Sequence, residues 1–86
     1  MKISVELTLS PLQNDFEPII IDFIRKLRAT GFTVKENPLS TQIYGDYDEV
    51  MTLLNSEIKD SLEAMDRGLI LMKIVKSDRS DYAADF

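Results

Sequence analysis

The chain has no cysteine and no histidine in its 86 residues. The first absence excludes disulfides, thiolate metal sites, iron–sulfur ligation and a cysteine nucleophile. The second removes the commonest general base and the commonest transition-metal ligand. No run approaches the roughly 20 apolar residues of a membrane span. Met1-Lys2 leads at once into a strand-like pattern, with no apolar signal region before it. The expected compartment is the cytoplasm, without membrane insertion. Clustered positive charge is lacking too. Ten Lys and Arg stand against 15 Asp and Glu, a net charge of −5. Binding to nucleic acid needs grouped cations to displace counterions from phosphates, so nucleic acid is not an expected partner. An acidic surface suits solubility or a cationic ligand.

What is present is the patterning of one small domain. A chain this short buries only about 60–65% of the surface its unfolded form exposes, so it gains from an oligomer interface. Ile3, Val5, Leu7 and Leu9 alternate with Ser4, Glu6 and Thr8, which predicts a strand over Lys2 to Leu9. Pro11 is expected to end it. Phe16, Ile19, Ile20, Phe23, Ile24 and Leu27 draw one stripe on a helix. Asn14 or Asp15 is placed to cap that helix, Pro18 suits its first turn, and Gly31 its left-handed stop. Short strands follow at Phe32 to Glu36 and Ser40 to Tyr47. Asp46 and Glu49 have capping-box spacing. Val50, Leu53, Leu54, Ile58, Leu62 and Met65 form a second helical stripe, and Leu69 to Val75 a fourth strand. Residues 1–76 make one domain. Residues 77–86 make a polar, acidic tail, expected to be loosely ordered.

The order β-α-β-β-α-β, with right-handed crossovers, puts both helices on one side of a four-stranded antiparallel sheet. The fold class is therefore α+β, a ferredoxin-like sandwich with strand order 4-1-3-2. The other sheet face stays open. Parity sends Ser4, Glu6 and Thr8 to it from the first strand, and Leu71, Lys73 and Val75 from the fourth. For the third strand two parities are open. Either Gln42 and Tyr44 look out, with Ser40, or Thr41 and Ile43 do. Alternating polar residues also describe an ordinary solvated face, but Leu71 and Val75 argue for partial cover. A second copy packed on that face would enclose polar groups, and these then need partners.

Most chemistry known on this fold is missing. The first strand lacks the aromatics of an RNA-stacking platform. No Cys pair serves a metallochaperone, and Ser10 to Asn14 holds no Arg to cradle a phosphate. No nucleophile motif is present. Glu6 is the one acid or base on the open face, with Lys73 as a cross-strand partner. No catalytic residue, no metal and no cofactor are expected.

Two segments carry a family resemblance: Ile3-Ser4-Val5-Glu6-Leu7-Thr8-Leu9-Ser10-Pro11-Leu12, and Ser40-Thr41-Gln42-Ile43-Tyr44-Gly45-Asp46-Tyr47-Asp48-Glu49-Val50. Together they resemble the thiamine-binding, YkoF-like family, over Lys2 to about Lys76. Ser10 departs from it, standing where the family often has an aromatic. The resemblance implies a ferredoxin-like fold and non-catalytic binding of thiamine or its hydroxymethylpyrimidine moiety. It also implies a homodimer or homotetramer, formed here through the open face. Ser4, Glu6, Thr8, Ser40, Thr41, Gln42 and Tyr44 are the candidate ligand contacts. Glu6 can accept from the pyrimidine amine and Gln42 can pair with the same edge; Tyr44 can stack on the ring. The alternative is an ACT-like regulatory or structural oligomerisation module without a thiamine site.

Overall fold

Strand β1 (Lys2–Pro11) carries the alternation that opens the chain, and its apolar side faces two helices in the computed structural model, which describes residues 1–86. After it come α1 (Glu17–Arg28), β2 (Thr33–Glu36), β3 (Thr41–Asp46), α2 (Tyr47–Ala64) and β4 (Gly68–Val75). The sheet order is β2-β3-β1-β4 and every neighbouring pair is antiparallel. This is the ferredoxin-like α+β arrangement, with β1 and β3 central as expected.

One core explains why both helices share a face. Ile3, Val5 and Leu7 of β1 and Ile43 of β3 meet Phe23 and Leu27 of α1 and Val50 and Leu54 of α2, all fully buried. Burying one such side chain is worth about 1.5–3 kcal/mol, so these eight supply the main drive to fold. Lys26 ties the helices together on the outside, 3.1 Å from Asp22 of its own helix and 3.8 Å from Asp60 of α2.

Edges and caps depart from the sequence pattern. β1 runs on to Pro11, which pairs with Gly68. The ladder bond there is Leu12 N–H to the Arg67 carbonyl at 2.9 Å, so nothing is asked of the proline nitrogen. Helix α1 begins behind Phe16, without a side-chain cap, because Asn14 and Asp15 lie too early. Pro18 in the first turn removes one donor that would otherwise need a partner. The Asp46–Glu49 box does not form either. Asp46 makes no capping bond to α2, and its carboxylate pairs with the Met1 ammonium at 3.2 Å. That ammonium holds the Asp46 carboxyl below its ordinary value. Gly31 takes φ +85°, as its position after α1 requires.

Strand β4 is an edge. Met72 and Ile74 sit opposite Leu7 and Val5 and so point to the helix side, yet both remain more than one-third exposed. Helix α2 does not reach far enough to cover them. Leu62, expected in its buried stripe, is 46% exposed for the same reason.

Candidate functional site

The register settles which side chains share the open face. Ile43 opposes Val5 in the core, so Gln42 and Tyr44 look outward. Gln42 stands opposite Glu6 and Tyr44 opposite Ser4; on the other flank Lys73 opposes Glu6 and Val75 opposes Ser4. Lys35 of β2 joins beside Gln42. Thr41 opposes Leu7, on the helix side, and is buried. The face that collects the other candidates does not include it.

A turn holds the last candidate in place. The Asn37 side-chain oxygen accepts from Leu39 N–H at 2.8 Å and from Ser40 N–H at 3.0 Å. This is the local side-chain-to-backbone bonding that Asn offers after a strand. It sets Ser40 at the head of β3. The Ser40 hydroxyl donates to Glu6 Oε2 at 3.0 Å and accepts from the Gln42 amide at 2.6 Å. Lys73 Nζ lies 3.5 Å from Glu6 Oε1. Glu6 is thus held between a hydroxyl and an ammonium, and the Gln42 side-chain oxygen keeps its acceptor capacity free.

These groups border a shallow depression of about 190 Å³, lined by Ser4, Glu6, Gln42, Tyr44, Lys73 and Arg79 among others. Thr8 is on the same face but further along β1, where its hydroxyl meets the Leu39 carbonyl at 3.4 Å. A larger groove of about 740 Å³ lies between α2 and β4 on the helix side. Its polar members, Asn55, Lys59 and Glu63, are all exposed. No inward-facing polar groups converge there, as a specific ligand site requires.

Arg79 comes from the tail, whose first residues return across the sheet. The Ser4 hydroxyl donates to the Ser77 carbonyl at 2.7 Å and accepts from Arg79 N–H at 2.9 Å. Lys35 donates to the Ser80 carbonyl. So residues 77–80 are tied across one end of the open face rather than loose. Ser4, read as a ligand contact, spends its hydroxyl on this strap. Burial raises the Tyr44 phenol above its ordinary value, with the charges of Asp78 and Glu6 adding to it. Lys35 Nζ sits 5.8 Å from the Tyr44 ring centre, a cation–π contact.

Glu6, Gln42, Tyr44 and Ser4 therefore line one depression, Ser40 supports it, Thr8 flanks it, and Thr41 faces away. Sequence patterning misses the strap residues, because main-chain partners leave no side-chain pattern. No group of three or more Asp or Glu is arranged to hold a metal ion. No helix is long and apolar enough to cross a membrane.

The model of the thiamine-binding protein family matches residues 5–85. The chain belongs to that family. The match takes in the strap as well as the domain, so the tail is part of what the family shares. Solved structures show the same fold. A Streptococcus pneumoniae protein superposes with a TM-score of 0.82 at 24% identity, covering 94% of this chain and 92% of that one. A Thermotoga maritima protein, provisionally described as a thiamine biosynthesis/salvage protein, gives 0.79 at 19% identity over 90% and 85%. A hypothetical protein of Methanocaldococcus jannascii gives 0.75 at 21% identity over 95% and 84%. No curated protein matches the chain.

Proposed function

We propose that this member of the thiamine-binding family binds thiamine, or its hydroxymethylpyrimidine moiety, without catalysis, in the depression over Glu6 and Gln42. The observation that carries the reading is the hydrogen-bonded row Gln42–Ser40–Glu6 at the middle of the open face. The row sets two acceptors side by side on the open face, the Glu6 carboxylate and the Gln42 side-chain oxygen. An aminopyrimidine edge offers the matching N–H donors. Tyr44, beside Gln42 on the same strand face, supplies an aromatic surface for the ring. The Ser4 hydroxyl is spent on the strap and Lys73 faces Glu6, so the groups that could attack a substrate are engaged within the protein, which supports binding rather than turnover.

Closure comes from a second copy of the chain. The strap covers only the Ser4–Tyr44 end. At the other end Leu71 and Leu39 are 64% and 82% exposed beside Thr8. Apolar surface next to a polar site is where a protein partner gains most from excluding water. A homodimer or homotetramer formed there would turn the open depression into a pocket.

Titration calorimetry on the full chain tests the reading, with thiamine, hydroxymethylpyrimidine and an amino-acid panel as ligands. Saturable heat with the first two, weakened by Glu6→Gln, is the expected result. Folded protein that gives no heat at millimolar thiamine overturns it. Heat with amino acids alone would favour an ACT-like module.

A further inference from the structure

The charges lining the depression do not match those of the chain. The protein carries −5 overall, yet the depression is lined by one carboxylate, Glu6, and two cations, Lys73 and Arg79. Glu6 and Lys73 already face each other at 3.5 Å. Arg79 takes part in none of the ion pairs of the chain. It is nonetheless held in place. Its backbone N–H is fixed on Ser4, and its Nε donates to the Ser77 hydroxyl at 2.7 Å. That leaves both terminal guanidinium nitrogens free beside the depression.

We infer that Arg79 is an anion-recognising residue of the site and that the chain prefers a phosphate ester of its pyrimidine ligand over the unesterified form. The inference rests on the proposed thiamine site and names the form of the ligand it takes. A ligand reaching from Glu6 to Arg79 must present N–H donors at one end and an anion at the other. Free thiamine and free hydroxymethylpyrimidine offer only the first. A phosphate ester offers both, because a guanidinium pairs with phosphate oxygens through two parallel bonds. The strap thereby brings an unpaired cation to the rim of the depression.

The test is calorimetry on the full chain with thiamine and thiamine monophosphate, and with hydroxymethylpyrimidine and its monophosphate. Each is run at low and at moderate salt. The ester is expected to bind about tenfold tighter or more, as a charge-assisted pair gives, with the advantage shrinking as salt rises. Arg79→Gln should bring the ratio of ester to parent affinity close to one, and Arg79→Lys should restore part of it. Equal affinities in the unaltered chain, or a ratio that survives Arg79→Gln, overturn the inference while leaving the thiamine site standing. The independent arm is inorganic phosphate, followed by the NMR signal of Arg79 Nε–H. A saturating shift sustains the anion subsite even where thiamine gives no heat; an unmoved signal counts against it.

Discussion

Glu6 and Lys73 stand directly opposite one another on β1 and β4, with Lys73 Nζ 3.5 Å from Glu6 Oε1. Both side chains are well exposed, at 41% and 70%. Water screens such a pair, and exposed pairs contribute about 1 kcal/mol at most. Lys73→Met is therefore expected to change unfolding stability by less than about 1 kcal/mol in urea titration. Glu6→Gln should be similarly mild for stability but should weaken pyrimidine binding by about 1–2 kcal/mol, since a charged acceptor becomes a neutral one. A stability loss as large as the binding loss would mean that Glu6 serves the fold and not the ligand.

The element order was legible because each period persists long enough to declare itself. β1 gives four apolar positions on one side, and each helix gives six. β3 is shorter, and its polar and apolar residues do not sort cleanly by parity. Thr41 is buried although polar, and Tyr44 faces outward although aromatic. Only the register against Leu7 and Ser4 resolves them. The caps failed for a different reason. Asp46 has the right spacing to cap α2, but a full positive charge on Met1 competes for its carboxylate. The strap was invisible in principle. Its bonds join the Ser4 hydroxyl to backbone groups more than 70 positions away, and no composition signals that.

Ser4 is the latch of the strap, and it offers a direct measure of how firmly the tail is held. Ser4→Ala removes one donor and one acceptor at a site that is only 8% exposed. A net loss of about 1–2 kcal/mol is expected in urea unfolding. The more specific readout is hydrogen exchange at the Arg79 amide. Its protection should vanish in Ser4→Ala while the amides of β1 keep theirs. Retained protection would place the strap's anchor elsewhere, on Lys35 and Ser80.

Asp78 and Tyr44 depart from their ordinary values in opposite directions. Hydrogen bonding to the Ser80 side chain and N–H holds the Asp78 carboxyl below its ordinary value. A depressed carboxyl stabilises above its unfolded pKa, and that contribution disappears as pH falls through the folded value. The strap should loosen in acid, below the usual carboxylate range. Tyr44 is the reverse case, since burial, then Asp78 and Glu6, raise its phenol above 10.0. The fold prefers the neutral phenol, so stability declines as pH climbs from about 10 toward the folded value. Ultraviolet titration against a Tyr44→Phe reference isolates this phenol. Asp78→Asn should move it down but not fully to the ordinary value, because burial is the larger cause. No movement would separate Asp78 from Tyr44.

Gly68 and Gly45 differ in what a methyl group would meet. A Cβ on Gly68 would come within 2.8 Å of the Ser10 carbonyl oxygen and 2.9 Å of Pro11 Cα, both main chain of β1. The strand itself would have to shift, and it is the strand that carries Glu6. On Gly45 the nearest atoms belong to side chains, the Phe32 ring at 2.9 Å and a Val50 methyl at 3.0 Å. Phe32 is only half-buried and can turn outward. Gly45→Ala is expected to cost about 1–2 kcal/mol and Gly68→Ala about 3 kcal/mol or more. Total stability at this length is about 4–13 kcal/mol, so the second change alone would consume much of it. Urea midpoints should rank the unaltered chain first, then Gly45→Ala, then Gly68→Ala. If the two variants exchange places, the Phe32 ring is the more rigid neighbour, and the β1–β4 end of the sheet has slack that its close approach at Gly68 denies.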